Sequence, residues 1–309
     1  MIRFESVRKE FGKFTAVEGL TLEIPQGEIF GLIGPNGAGK TTIIKMACGL
    51  VAPTRGRIVV ADVDVQQMPE IAQQHIGYLS DIYALYDDLR VWEYLDYFAN
   101  AYRMRTVEIA ARIREVIGIV GLEAKEQELI HGLSRGMKQR LGLARSILHR
   151  PKVLFLDEPA SGLDPKARMT LRDILQTLQR QGATILISSH ILAELDGLCT
   201  SIGIMGQGKL VKSGLVAAMV KGLDTERLIQ IRWIDAERDH VIAVLNRLGY
   251  SRLSNIGEGE VQLQCHGTDD EVSAVLRTLV EQGVKVVSVS EHQRTVQDVY
   301  MKVSRHGVM

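Results

Sequence analysis

From Ile29 to Ala47 the chain reads Ile-Phe-Gly-Leu-Ile, then Gly34-Pro-Asn-Gly-Ala-Gly-Lys-Thr41, then Thr-Ile-Ile-Lys-Met-Ala. The first five residues form the near-continuous apolar run of a strand covered on both faces. After the glycines, Ile43, Ile44, Met46 and Ala47 fall at helical spacing. A buried strand, a turn matching Gly-x-x-x-x-Gly-Lys-Thr and a helix in succession constrain the fold more than any other feature. Glycines let backbone N–H groups turn inward around phosphate oxygens, and the helix N-terminus adds its dipole. Lys40 supplies a point charge for the β- and γ-phosphates, and the Thr41 hydroxyl is a ligand type that Mg²⁺ accepts. The segment therefore predicts a nucleoside triphosphate site lined by Gly34, Pro35, Asn36, Gly37, Ala38, Gly39, Lys40, Thr41 and Thr42.

A second apolar run, Val153-Leu-Phe-Leu156, ends in Asp157 and Glu158. Such a strand delivers its carboxylates to the carboxyl edge of a parallel sheet, where ligands gather in open α/β folds. Asp157 can there hold Mg²⁺ through water, and Glu158 can poise a water as general base. A third run, Thr184 to Ser188, follows a helix with Asp164 as N-cap, Pro165 at its first position and Leu171, Ile174, Leu175 and Leu178 on one face. Residues Arg3 to Val7 and Leu20 to Ile24 mix apolar and polar positions as half-buried strands do. The stretch from about 85 to 149 reads as helical. The expected fold class is α/β, a P-loop NTPase core with an antiparallel β subdomain and a helical subdomain.

At 309 residues a prior of two domains applies, and the pattern changes near Val220. Residues 1–220 read as the nucleotide-binding domain and 221–309 as a small α+β accessory or regulatory domain. In the latter, Leu228–Trp233, Ala236–Leu248, Arg252–Ile256, Val261–Gln264, Asp269–Gln282 and Val284–Val289 run βαββαβ, a ferredoxin-like order, before a last helix from Thr295.

Further motifs then fall into place. Leu133-Ser-Arg-Gly-Met-Lys-Gln-Arg140 resembles the signature of ATP-binding cassette proteins, Ser161-Gly-Leu-Asp164 their D-loop, and His190 their switch histidine. Phe11 lies about where the family's adenine-stacking aromatic falls, and all motifs occur in family order from Met1 to about Val220. The resemblance implies ATP and Mg²⁺ as ligands, with Lys40, Glu158 and His190 catalytic. It also implies that two cassettes close head to tail, so that Ser134 and Gly136 of one copy face the nucleotide held by the other and Asp164 links the sites. One loop and one signature per chain then require a second copy or a paired cassette subunit. Two departures stand out. Arg135 and Met137 replace the signature's usual glycine and glutamine. Asp81, in Ile76-Gly-Tyr-Leu-Ser-Asp81, stands where the Q-loop glutamine usually contacts the metal. Both departures resemble the ATPase subunits of bacterial type-2 exporters of drugs, polysaccharides and lipids.

The leading expectation is thus an ATPase subunit that energises a separate membrane-spanning chain, most often for export, from the cytoplasmic face of the membrane. Tyr83, Tyr86, Trp92, Tyr94, Tyr97, Phe98 and Tyr102 are dense in a chain only 5% aromatic. They are either the core of the helical subdomain or a groove for a helix of the membrane partner. Asp87-Asp88 is a solvated turn or faces a basic loop of that partner. An importer subunit is one alternative. A soluble cassette ATPase acting on DNA or ribosomes is another, disfavoured because Lys plus Arg balance Asp plus Glu at 37 each, leaving no field for nucleic acid. Nor are tandem cassettes, coiled coils or zinc cysteines visible. The first ten residues lack the apolar run of a signal peptide, and no apolar run approaches the roughly 20 residues of a membrane span. Cys48, Cys199 and Cys265 are too widely spaced for a metal or redox pair and read as buried hydrophobes. His240, His266 and His292 read as surface or satisfied residues.

Overall fold

A computed structural model of the chain describes residues 1–82, 84–221, 227–265, 268–291 and 300. Two compact units emerge, one covering Met1–Ala217, the other within Ala218–Val299. The first begins with β1 (Ile2–Phe11), β2 (Phe14–Ile24), β3 (Ile29–Ile33), α1 (Lys40–Ala47), β4 (Arg55–Val60), β5 (Val63–Asp64), α2 (Pro69–Gln74) and β6 (Ile76–Leu79). It continues with α3 (Val91–Ala101), α4 (Thr106–Val120), α5 (Arg135–Ile147), β7 (Val153–Asp157), α6 (Pro165–Arg180), β8 (Thr184–Ser189), β9 (Ser201–Gly206) and β10 (Lys209–Leu215). A short α7 (Val216–Lys221) follows.

Two sheets form. One is antiparallel, in the order β2-β1-β4-β5, and its β1–β2 hairpin pairs Phe11 with Phe14 across a two-residue turn. Gly12 takes that turn at φ 59, where a glycine avoids the Cβ clash. The other has six strands, β10-β9-β3-β8-β7-β6, all parallel except the edge strand β10. The α/β core, antiparallel subdomain and helical subdomain expected from the sequence are all present.

A single apolar cluster joins α1 to both sheets, through Phe4, Leu20 and Ile58 on one side and Leu32, Phe155 and Leu186 on the other. Each such side chain removed from water contributes roughly 1.5–3 kcal/mol. The loop between β3 and α1 is therefore anchored at both ends in this core, by Phe30 and Leu32 before it and Ile43, Ile44 and Met46 after it. Helix α6 matches its sequence pattern: Asp164 accepts a hydrogen bond from the Ala167 N–H at 2.8 Å, and Leu171, Ile174, Leu175 and Leu178 are buried.

Strands β4, β5, β6, β9 and β10 were not expected, and glycines explain two of them. A Cβ on Gly77 in β6 would stand 2.2 Å from the Ser146 carbonyl oxygen, and one on Gly203 in β9 would stand 2.9 Å from the Phe30 ring. Close packing selects glycine there, and glycine weakens a strand's signature in sequence.

In the second unit, β11 (Arg227–Ile234), α8 (Arg238–Arg247), β12 (Leu253–Gly257), β13 (Glu260–Cys265), α9 (Asp269–Glu281) and β14 (Lys285–Glu291) build a four-stranded antiparallel sheet. Its order is β12-β13-β11-β14, with the first and third strands central, the ferredoxin-like arrangement. Ile229, Ile231, Trp233, Val241, Leu245, Leu263 and Leu279 form its own core. His240 is exposed, its Nε2 3.2 Å from the Gln282 carbonyl oxygen. The helix expected from Thr295, together with Tyr83, His266 and His292, lies outside the described residues. Among the described residues no helix is long and apolar enough to cross a membrane.

Cys48 and Cys199 are free and buried, and Cys199 Sγ lies 2.9 Å from where a Cβ on Gly31 would stand. Burial pushes the Cys199 thiol up to about 12 and raises that of Cys48, to which the nearby Asp157 charge adds. Since the thiolate is the reactive form, alkylation at pH 8 followed by peptide mass spectrometry should leave both unmodified in the native protein and label both in urea. Rapid native labelling of either would contradict this packing.

Candidate nucleotide site

The loop that leaves β3 is shaped by contacts that only glycine permits at two positions. Gly39 sits at φ 99, where a Cβ would also meet the Ala16 carbonyl oxygen at 2.5 Å, and a Cβ on Gly34 would meet that of Met205 at 2.6 Å. Gly39 is the N-cap of α1; no side chain caps this end and no acidic residue occupies its first turn. The first N–H groups of a helix have no intrahelical acceptors. Uncapped, those of α1 form an electropositive cradle. Pro35, Asn36, Gly37 and Thr41 are exposed around it, Ala38 is buried and Thr42 is half-buried.

Lys40 is 5% exposed. Its Nζ donates to the carbonyl oxygens of Gly34 at 2.7 Å and Pro35 at 3.2 Å, and lies 3.4 Å from Glu158 Oε1. A buried ammonium is tolerated only when its three donors find acceptors, and here two carbonyls and a carboxylate provide them. Both ends of this pair come from the carboxyl edge of the parallel sheet, where β3, β8 and β7 lie side by side.

Strand β7 is buried throughout and ends at Asp157, 2% exposed. Ser188 of β8, in register with Asp157, donates its hydroxyl to Asp157 Oδ1 at 2.6 Å and accepts the Glu158 N–H at 3.0 Å. Burial, reinforced by the Asp157 charge, raises the Tyr78 phenol well above its ordinary value. Glu158 has φ 49, a left-handed conformation costing a non-glycine residue on the order of 1 kcal/mol or more. The Ser188 hydroxyl pins it there. The strained backbone aims Glu158 between Lys40 and His190: Glu158 Oε2 is 2.7 Å from His190 Nδ1 and accepts the His190 N–H at 3.3 Å.

The residues predicted from sequence thus divide into a tight group and outlying ones. Lys40, Asp157, Glu158 and His190 converge. Ser134 caps α5 by accepting the Met137 N–H at 3.3 Å, and Gly136 lies in the same first turn. Asp164 caps α6. Asp81 lines a cleft of about 580 Å³ that reaches the group at Glu158, with Asp87, Arg135 and Lys138 also among its walls. Phe11 is half exposed, with Lys9 Nζ 4.8 Å from its ring centre. No group of three or more His, Cys, Asp or Glu among the described residues forms a metal cage. Sequence reasoning missed Ser188, a serine inside an apolar strand, and Glu194, whose buried carboxylate accepts the Ser189 hydroxyl at 2.7 Å beside His190. A polar residue in the third apolar run was the available signal for Ser188.

Of the aromatics, Tyr94 is fully buried, whereas Tyr97 is 54% exposed. Leu89, Trp92, Glu93, Asp96, Tyr97, Asn100 and Ala101 line a groove along α3. Asp87 is paired with Lys138 at 3.0 Å.

A buried-strand loop holding a lysine against a carboxylate and histidine at the sheet edge defines a nucleotide-binding P-loop protein. The family model for ABC transporters matches residues 17–161. The chain is 37% identical over 214 residues to the "Probable multidrug ABC transporter ATP-binding protein YbhF" of Escherichia coli, an alignment that covers 69% of this chain and 37% of that protein's length. It is 35% identical over 219 residues to the Nod factor export ATP-binding protein I of Paraburkholderia xenovorans, covering 71% of this chain and 72% of the relative. A solved ATP-binding subunit of an ABC transporter superposes with a TM-score of 0.65 at 30% identity, over 72% of this chain and 92% of that one. The chain belongs to the ABC transporter family of ATP-binding proteins, as its motifs led one to expect.

Ser188→Ala should leave the buried Asp157 carboxylate and the strained Glu158 N–H each short of a partner. Unsatisfied buried polar groups cost about 1–3 kcal/mol, so urea unfolding should show a loss of that size. Unchanged stability would mean that the hydroxyl holds neither group.

Proposed function

We propose that the chain binds and hydrolyses ATP to drive a transporter whose membrane-spanning part is a separate chain. The observation that carries this reading is the convergence of Lys40, Glu158 and His190 beside buried Asp157. On nucleotide binding, Lys40 exchanges its carbonyl partners for β- and γ-phosphate oxygens, a stronger charge-assisted contact. Glu158 accepts the proton of the attacking water, and His190 steadies that carboxylate. Thr41 and Asp157 are the hard oxygen donors that Mg²⁺ prefers, and the ion would neutralise phosphate charge there. Asp81, at the Q-loop position, is the third residue assigned to that ion.

The chain works in this reading as one half of a pair, either two copies or this chain with a related cassette. Ser134 and Gly136 at the N-terminus of α5 complete the second copy's site, and Asp164 lies between the two. Export is supported by the names of its relatives, multidrug and Nod factor export proteins. Attachment to the cytoplasmic face of a membrane then runs through the partner. The groove along α3 suits a partner helix that carries an apolar side chain and a basic one. Tyr97 offers apolar surface, and Glu93 and Asp96 offer charge. The described residues of the 221–309 domain bring no catalytic constellation, and the domain is assigned an accessory, regulatory role.

Lys40→Ala should abolish nucleotide binding measured by calorimetry, because charge and loop geometry go together. Glu158→Gln should bind ATP, lose hydrolysis by about 10²-fold or more as expected for a general base, and accumulate as an ATP-bound dimer in light scattering. Near wild-type turnover in Glu158→Gln would remove Glu158 as the base.

Tyr97→Ala should reduce co-purification of a multi-span membrane protein from detergent-solubilised native membranes while leaving the isolated chain's ATPase rate unchanged. Equal recovery with the variant would place the docking surface elsewhere.

A further inference from the structure

Arg135 is the first residue of α5, directly after the Ser134 cap, and no acidic residue shares that first turn. Among the described residues its guanidinium forms no ion pair with a carboxylate. Nη2 donates to the Ser161 carbonyl oxygen at 3.0 Å. A Cβ placed on Gly162 would stand 2.4 Å from Cζ, 2.4 Å from Nη2 and 2.5 Å from Nη1. Three atoms of one plane equidistant from that point mean that the guanidinium faces Gly162 and fills the space a side chain would take. Gly162, at φ 67, is free to accept this. One residue on, a Cβ on Gly136 would lie 3.1 Å from the Ala167 Cβ, so the first turns of α5 and α6 also approach closely.

Ser161 closes the turn that opens at Glu158. The Ser161 N–H donates to the Glu158 carbonyl oxygen at 3.1 Å, and the Leu163 N–H to that of Ala160 at 3.2 Å. Glu158 is held from one side by Ser188. Arg135 grips the far end of the same turn, at Ser161 and Gly162.

We propose that Arg135 is a positioning residue that straps the first turn of α5 to the Glu158–Gly162 turn and so holds Glu158 in its strained, water-activating orientation. The strap joins two functions within one chain. The end of α5 that carries Ser134 and Gly136 cannot shift without pulling on the turn that carries Glu158. Engagement of that helix end by a second copy is thereby transmitted to hydrolysis in the chain's own site. This inference rests on Glu158 being the catalytic base.

The test is steady-state ATPase kinetics together with peptide-resolved hydrogen exchange on wild type, Arg135→Ala, Arg135→Lys and Glu158→Gln. One hydrogen bond is worth about fivefold in rate. Arg135→Ala should therefore lose about fivefold in kcat with KM for ATP unchanged, and exchange should quicken in the peptide spanning 158–163 but not in β3 or β7. Arg135→Lys keeps a donor for Ser161 and should recover part of the rate. A wild-type kcat and unchanged exchange in Arg135→Ala, with Glu158→Gln inactive, would overturn the strap alone. A rise in KM that accounts for the loss, or faster exchange throughout the chain, would overturn it as well. Turnover at the wild-type rate in Glu158→Gln would remove both readings. Should Arg135→Ala not fold, Arg135→Lys still decides: exchange and kcat identical to wild type would show that the flat contact with Gly162 does nothing.

Discussion

The Lys40 ammonium, buried beneath its own loop and held by the Gly34 and Pro35 carbonyls and by Glu158, is the junction on which the site depends. A charge taken out of water must be met by fixed acceptors, and these come from two distant parts of the chain. The loop after β3 supplies one set and the end of β7 the other. Both are delivered by a parallel sheet whose central strands are buried throughout. Packing of α1 against that sheet and the antiparallel sheet turns a flexible glycine turn into a defined cradle.

Around this junction the site stores strain and charge together. Asp157 is an almost fully buried carboxylate next to a second one, and Glu158 takes a backbone conformation that its side chain disfavours. One hydroxyl, that of Ser188, serves both. Parallel pairing makes this possible, since register sets Ser188 opposite Asp157. A slip of one residue would turn the hydroxyl to the other face of the sheet. The strained geometry at Glu158 is thus supported by the sheet itself, and the surrounding turn is finished by Arg135 from the helical subdomain.

Much of this was legible in the sequence because its physical causes are local. The β3–loop–α1 succession, the run ending in Asp157 and Glu158, and the Asp164-Pro165 start of α6 each carry their own cues of apolar period, glycine and cap. The βαββαβ order of the second unit was likewise readable from alternating patterns. Strands β6 and β9 were not, because their glycines answer to Ser146 and Phe30, neighbours far away in the chain. Among the aromatics, density alone could not sort Tyr94, which fills the helical subdomain, from Tyr97, which lies on its surface.

Sequence by itself determined the chemistry on offer: a phosphate-binding loop, a buried carboxylate pair, a histidine after a third strand, and a signature in which arginine and methionine replace glycine and glutamine. Those are choices of residue type at short spacing, and short spacing is what a linear pattern encodes. Only the tertiary structure decided which groups meet. The contact of His190 with Glu158 spans 32 residues, that of Lys40 with Glu158 is longer still, and Arg135 reaches Ser161 and Gly162 from another element. Such contacts follow from strand order, register and the approach of two helix ends, which depend on packing across the whole core.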